Sequence, residues 1–313
     1  MIRFLTKRVI SGLALLVVIS TMAYFLVYSS GNNIALAILG EGATADQLAL
    51  KEKELGLDQP IFQRYIDWLK HAVKGDFGSS WVNNDTVVNE ITRRLPITLS
   101  LVLIAMALAA IFATLIGMLA AVKGGVVDRV LQLTAVAGFA IPGFLVAILL
   151  INYLAIKWHL FPATGWVNFK DSPSNWLKSI SMPIFSLVLA TITSAAQQIR
   201  SAIKNVMDRD FVRTLTSRGI SRREILFKHV LRAAAPAGLT VLSLQFVGML
   251  GGTVIIEQIF ALPGMGSMVV NATNASDTPL IMGIVVYTVF IVIVVNLLVD
   301  LINGWLNPKV RVQ

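Results

Sequence analysis

The residues of this chain that could do chemistry gather in one charged stretch. Between Arg200 and Arg232, nine Lys and Arg stand against three acids, a net charge of +6. Within it Gly219 is followed by Ser221-Arg222-Arg223-Glu224, which fits the S-x-x-E capping box that starts a helix. Glycine most easily takes the left-handed backbone that ends one. The pattern predicts a charged helix over Gln197–Arg218, a sharp turn at Gly219, and a short new helix. That second helix carries Ile225, Leu226, Phe227, Lys228, His229, Val230 and Leu231, and Pro236 marks where the next apolar segment begins. Apolar Leu226, Phe227 and Val230 beside Arg222, Arg223 and Lys228 suit insertion into a groove on another protein. They suit equally a helix lying on anionic lipid. Neither use is catalysis.

Catalytic signatures are missing. No G-x-x-x-x-G-K-[ST], H-E-x-x-H or G-x-S-x-G occurs, so the chain has no P-loop for ATP and no metalloprotease or hydrolase motif. His71, His159 and His229 fall in three separate segments and cannot share a metal. With 0 Cys, disulfides, thiolate metal sites and cysteine nucleophiles are excluded. What remains is a polar set within apolar segments: Thr98, Ser100, Gln132, Thr134, Asn152, Thr191, Thr193, Ser194, Ser243 and Gln245. Thr98, Gln132, Asn152, Thr193, Ser194 and Gln245 are the candidates for lining a wet path. Each could equally make a helix–helix hydrogen bond. Glu257 and Asp300 fall at the ends of apolar segments, where an interfacial position with access to water is expected. Gly248, Gly251 and Gly252 are expected to form a close helix-packing face.

The elements that must position these residues follow from composition. Of 313 residues 56% are hydrophobic and 14% charged, against about 45–50% and about 25% in globular chains. The mean hydropathy is +0.76. Such a chain cannot hide its apolar surface in a soluble core, so lipid is the solvent for much of it. Six charge-free windows reach the roughly 20 residues that a membrane-crossing helix needs: Val9–Gly40, Leu95–Val122, Val130–Ile156, Ser179–Ile199, Ala233–Ile256 and Thr278–Val299. Their length means helices, not barrel strands. The first is longer than a signal-peptide apolar region and is expected to remain as a span. The expected division is 1–30 for a tail and first span, 31–95 for an outer helical insertion, and 96–313 for the core. Within the core, spans are expected at 96–122, 130–156, 179–200, 236–256 and 278–303, with loops at 201–235 and 257–277.

Orientation follows the Lys and Arg. Sixteen of the 26 lie in the N-terminal tail, 123–129, 200–232 and the C-terminal tail, which puts both termini in the cytoplasm. The overall +9 is mostly this bias and implies no nucleic-acid partner. The segment from Gly31 to Arg94 is net −2 and faces out. In it, Pro60 is placed as a first helical residue capped by Asp58 or Gln59, followed by a stripe of Phe62, Tyr65, Ile66, Trp68, Leu69 and Val73. Ala45–Leu55 is a second, weaker helix. The insertion is either a lid on the bundle or a docking surface for an extracytoplasmic partner.

Over nearly its whole length the sequence resembles the inner-membrane permeases of dipeptide and oligopeptide ABC importers, the type I importer family. The resemblance rests on Glu54-Leu55-Gly56-Leu57-Asp58-Gln59-Pro60, Lys74-Gly75-Asp76-Phe77-Gly78-Ser79-Ser80, Arg94-Leu95-Pro96, Asp128-Arg129 and Ile141-Pro142. It continues through Asp210-Phe211-Val212-Arg213-Thr214, Arg218-Gly219-Ile220-Ser221, His229-Val230-Leu231-Arg232, Glu257-Gln258-Ile259-Phe260-Ala261-Leu262-Pro263-Gly264 and Asp277-Thr278-Pro279. Arg213-Thr214-Leu215 stands where the wider superfamily has Glu-Ala-Ala. Ser30-Gly31-Asn32-Asn33 replaces the usual Pro-Gly-Asp, and Pro236 lies one residue closer to Arg232 than usual.

The resemblance implies an all-α, six-span, multi-pass subunit of a prokaryotic plasma membrane. It implies pairing with a second homologous permease, two cytoplasmic ATPases that bind the ATP and Mg, and an extracytoplasmic solute-binding protein. No cofactor is implied in this chain. The loop around Gly219 would be the coupling helix, with Asp210, Arg213, Thr214, Arg218, Gly219, Ser221, Glu224, Leu226, Phe227, His229, Val230 and Arg232 as ATPase-coupling residues. That favours the groove over the lipid surface. The cargo class implied is peptides, with nickel, glutathione or oligosaccharide as alternatives. An ion-coupled secondary transporter is the competing class, and the empty span centres argue against it.

Overall fold

Each described element is a helix, apart from a single bridge between Ser79 and Thr86. The computed structural model describes residues 2–29 and 34–306. The tail with Lys309 and Arg311 and the Ser30–Asn33 departure lie outside the described residues. In chain order the helices are α1 (Ile2–Ser29), α2 (Ile34–Leu39), α3 (Ala45–Glu54) and α4 (Ile61–Ala72), then α5 (Val87–Lys123). Next come α6 (Gly125–Ala140), α7 (Gly143–Lys157), α8 (Pro173–Met207) and α9 (Asp210–Ser217). The chain ends with α10 (Arg222–Ile259), α11 (Met265–Asn274) and α12 (Thr278–Leu306).

Five helices, α1, α5, α8, α10 and α12, are long and apolar enough to cross a bilayer unbroken. Taken together, α6 and α7 are long and apolar enough for one more span, with a bend of 90° between them. A straight span was expected over Val130–Ile156. Pro142 breaks it, because proline lacks an N–H and pushes the preceding residue out of the helical region. Ile141 accordingly has φ −95° and ψ 110°.

Local chemistry explains some helix starts. Thr44 and Gln47 form a reciprocal capping box at α3. Ser172 caps α8, with Pro173 in its first turn. Three expectations are corrected. Pro60 is itself the N-cap residue of α4, and neither Asp58 nor Gln59 caps it. The fourth span ends at Met207 and a separate α9 follows. Pro236 lies inside α10 and starts nothing, since α10 is one helix from Arg222 onward. Apolar neighbours and membrane surroundings tolerate such prolines in long helices.

The chain divides into two compact units. The first joins residues 1–96 to 263–294. Phe77, Val87, Ile91, Met265, Met268 and Leu280 form one core there, and Tyr24, Tyr65 and Met282 a second. Asp277, 1% exposed, accepts from the Ser80 hydroxyl, from the Trp81 N–H at 3.2 Å and from the Leu280 N–H at 3.5 Å. It thereby caps α12 and pins the loop that leads into α5. Asp85, beside that helix start, is held below the usual carboxylate range, first by its hydrogen bond from Asn89. The expected stripe on α4 divides into two faces. Tyr65, Trp68 and Leu69 pack inward with Ile61, while Phe62, Ile66 and Val73 are exposed.

The second unit joins 97–262 to 295–313, with α6, α7 and α10 packed on α8. Small residues allow this. A Cβ on Gly117 would lie 2.7 Å from the Ala196 carbonyl oxygen, and one on Gly138 would lie 2.3 Å from Thr193 Oγ1. Gly248 and Gly251 have nothing within 4 Å of such a Cβ, so the expected packing face at those two glycines is not used within the chain.

Because the chain has no cysteine, its sidedness can be read cleanly. Lys74→Cys should react with a membrane-impermeant maleimide in spheroplasts, and Arg223→Cys only after permeabilisation. Labelling of both from the same side would overturn the six-span orientation drawn from the charge bias.

Candidate functional site

The candidate site is built around the turn after α9. Gly219 has φ +76°, the left-handed region that glycine enters without steric cost, and open space surrounds it. Ser221 Oγ accepts from the Glu224 N–H at 3.2 Å, which is one half of the expected capping box. The other half is not made: Glu224 instead pairs with Lys228 at 3.3 Å. The chain then passes through π-helical turns over Ile225–Val230 and continues as α10.

Below the turn lies an apolar cluster that includes Ala195, Ile199, Ile203, Val206, Ile225, Val230 and Ala234. Val212, Leu215, Ile220, Leu226 and Leu231 pack against it from the loop. This corrects the expected docking face. Val230 is 1% exposed and belongs to the base of the fifth span, Leu226 is half-buried, and Phe227 alone of the three projects, at 54% exposed. The reason is the helix continuing through Pro236. The Ile225–Val230–Ala234 stripe is core for that continuous helix and cannot enter a partner. His229 is half-buried.

The outward surface is therefore Asp210, Arg213, Thr214, Arg218, Gly219, Ser221, Glu224, Phe227 and Arg232, with Arg222, Arg223 and Lys228 among them. Phe211, 37% exposed, adds a second aromatic ring that sequence reasoning left out of the site. Two exposed aromatic rings thus stand on this turn among cationic side chains. The helix that leads towards the turn, α8, carries an ion-pair cluster. Arg200 grips Asp128 through both its Nε and Nη2, and Lys204 Nζ lies 3.3 Å from the same carboxylate. This joins α8 to the start of α6.

The polar span residues do not converge on one place. Ser194 Oγ lies 3.2 Å from both Gln245 Nε2 and Gln198 Nε2, a link between α8 and α10. Gln198 was missed, although its spacing of four residues from Ser194 puts the two on one helix face. Thr193 lies against Gly138. Gln132 and Asn152 are exposed, Asn152 donating to the Ile148 carbonyl at 3.0 Å. Thr98 Oγ1 donates to Glu257 Oε1 at 2.6 Å. Glu257 is 0% exposed, which corrects the expected water-accessible position. Nothing in the residue's place near a span end signals the burial. A partner it finds there, the Thr98 hydroxyl, lies 159 residues away in the sequence.

A chain of long apolar helices with an exposed aromatic-and-cationic turn, and with no metal-binding cluster among the described residues, has a counterpart in known sequences. The family described as "binding-protein-dependent transport system inner membrane component" matches residues 113–312, and its N-terminal companion matches residues 1–102. The chain belongs to this family. Members of the family named as peptide transport permeases are similar over the full length. One from Brucella abortus (strain 2308) is 34% identical over 312 residues, 99% of each chain. A glutathione transport system permease of Escherichia coli (strain K12) is 30% identical, again over 99% of each chain. The fold is also that of the MetNI methionine ABC transporter in its inward-facing form, with TM-score 0.54 at 13% identity, over 69% of this chain and 96% of that one. The chain is a multi-pass inner-membrane permease subunit of an ABC importer, not an enzyme.

Proposed function

We propose that this family member forms half of a translocation path for peptides and couples to ATP hydrolysis in partner chains through the turn at Gly219. A second, homologous permease supplies the other half of the path. Two cytoplasmic ATPases bind ATP and Mg, and an extracytoplasmic binding protein delivers the cargo. Within this proposal Phe227 is the anchor that enters the ATPase groove. Arg213, Arg218 and Arg232 form a cationic rim, with Asp210 and Thr214 beside it. Gly219 and Ser221 fix the angle of the turn, Glu224 braces it through Lys228, and Leu226, His229 and Val230 hold it from beneath. Thr98, Gln132, Asn152, Thr193, Ser194 and Gln245 remain the candidates for contact with cargo.

The observation that carries this reading is the projecting Phe227 on a turn rooted in the buried cluster of Ile225 and Val230. A lipid-surface helix would leave a whole apolar stripe for the bilayer. Here the stripe is committed to the core, and Phe227, with Phe211 partly exposed, is left for a pocket. Peptide cargo is supported by the names of the full-length relatives, one of which is a glutathione permease. The test is uptake into proteoliposomes containing the chain, its sister permease, ATPases and binding protein, with a peptide panel that includes glutathione. Accumulation is expected only with ATP and binding protein together. Uptake by this chain alone under an ion gradient would overturn the proposal.

A further inference from the structure

A cavity of about 310 Å³ opens in the first unit, between the outer end of α1, α4, the loop before α5 and the start of α12. Its walls include Tyr28, Trp68, Phe77 and Trp81, together with His71 and Asp76. Each wall is held in place by contacts of its own. The Trp81 N–H is bound by buried Asp277, Phe77 packs on Tyr287 at 5.6 Å between ring centroids, and Trp68 packs on Tyr24 at 5.6 Å. The cavity is thus built before anything binds.

Its electrostatics select the occupant. Neighbouring acids are neutralised by adjacent cations: Asp67 by Lys70 at 2.9 Å, Asp85 by Arg93 at 3.0 Å and Glu90 by Arg94 at 3.2 Å. Asp76 has no basic partner among the described residues. One of its oxygens accepts the Gly78 N–H at 2.9 Å, and the other remains for a ligand. His71 Nδ1 donates to the Asp67 carbonyl at 2.8 Å. Arg64 already covers Tyr28 at 4.5 Å, so the aromatic faces left are those of Trp68, Phe77 and Trp81. A free carboxylate among aromatic rings is the arrangement that attracts an organic cation. Asp76 and His71 are exposed to solvent, and Arg64 over Tyr28 already brings a cation to that wall, so the ammonium is expected at the Asp76 side. One carboxylate and one imidazole are too few for a structural metal.

We propose that this cavity binds a primary ammonium group, of the kind carried by a peptide N-terminus or an ethanolamine lipid headgroup. The proposal does not rest on the transport reading, and its test measures binding without ATP. Full-length protein is placed in nanodiscs of phosphatidylglycerol and titrated by equilibrium dialysis with alanyl-phenylalanine amide and with its N-acetyl form. The free amine is expected to saturate a site that the N-acetyl form does not occupy. Asp76→Asn keeps an acceptor for the Gly78 N–H but removes the charge, and it should weaken binding about tenfold or more. Asp76→Glu should restore most of it, which guards against a folding defect. If added phosphatidylethanolamine displaces the amide, the headgroup is the resident source of the ammonium, and if it does not, the peptide N-terminus is. No saturable binding of the free amine, equal binding of the N-acetyl form, or unchanged affinity in Asp76→Asn would each overturn the proposal.

Discussion

Gly117→Val is expected to leave almost no folded protein in the membrane. Helix α5 meets α8 at this glycine, and the nearest atoms to a new Cβ are backbone: the Ala196 carbonyl oxygen at 2.7 Å and the Arg200 N at 3.0 Å. A side chain can rotate away from a clash, but a backbone can move only with its helix. Moving α8 would also disturb the Ala195–Ile199–Ile203 cluster and the Asp128–Arg200 grip. Overpacking of a rigid contact costs about 1–3 kcal/mol, occasionally more, and this contact has no soft side to yield. Gly138→Ala makes the useful comparison. Its Cβ meets Thr193 Oγ1 at 2.3 Å, a side-chain atom that a rotamer change can remove, so a milder loss is expected. Detergent-extracted protein that elutes as a sharp gel-filtration peak measures both. If Gly117→Val yields as much monodisperse protein as Gly138→Ala, the α5–α8 contact is not tight.

The long charge-free windows made five unbroken spans legible, because hydrocarbon thickness sets a length that few other constraints mimic. The turn at Gly219 was legible for a similar reason: a positive φ and an N-cap serine are local requirements that leave local residues. Burial was not legible where it depends on a distant partner. Val230 and Phe227 look alike in an amphipathic stripe, and the difference between them comes from α8 and from the helix running on past Pro236. Glu257 looks interfacial from its place near a span end, yet it is fully buried and accepts from Thr98. The bend at Pro142 was written in the sequence as Ile141-Pro142. Hydropathy alone passes over it, since a proline hardly changes the mean of a 27-residue window.

The same distinction separates two substitutions that the amphipathic pattern treats as one. Phe227→Asp should leave the protein folded and inserted while abolishing ATPase docking. The ring is 54% exposed and no buried cluster includes it, so removing it should change stability by no more than about 0.5 kcal/mol. A projecting ring that fills a partner's pocket is worth about 2 kcal/mol or more on truncation, and a carboxylate in that pocket adds desolvation without a counter-charge. Docking should therefore weaken by well over tenfold. Val230→Asp should behave in the opposite order. It places a charge in the cluster of Ile199, Ile203, Val206 and Ile225, where an unpaired carboxylate costs several kcal/mol, so the yield of folded permease should fall before docking can be asked about. Co-purification of the ATPases, normalised to the amount of monodisperse permease, separates the two effects. If Phe227→Asp retains its ATPases and supports uptake, the turn at Gly219 is not the coupling site, and the cationic rim of Arg213, Arg218 and Arg232 belongs to the lipid surface instead.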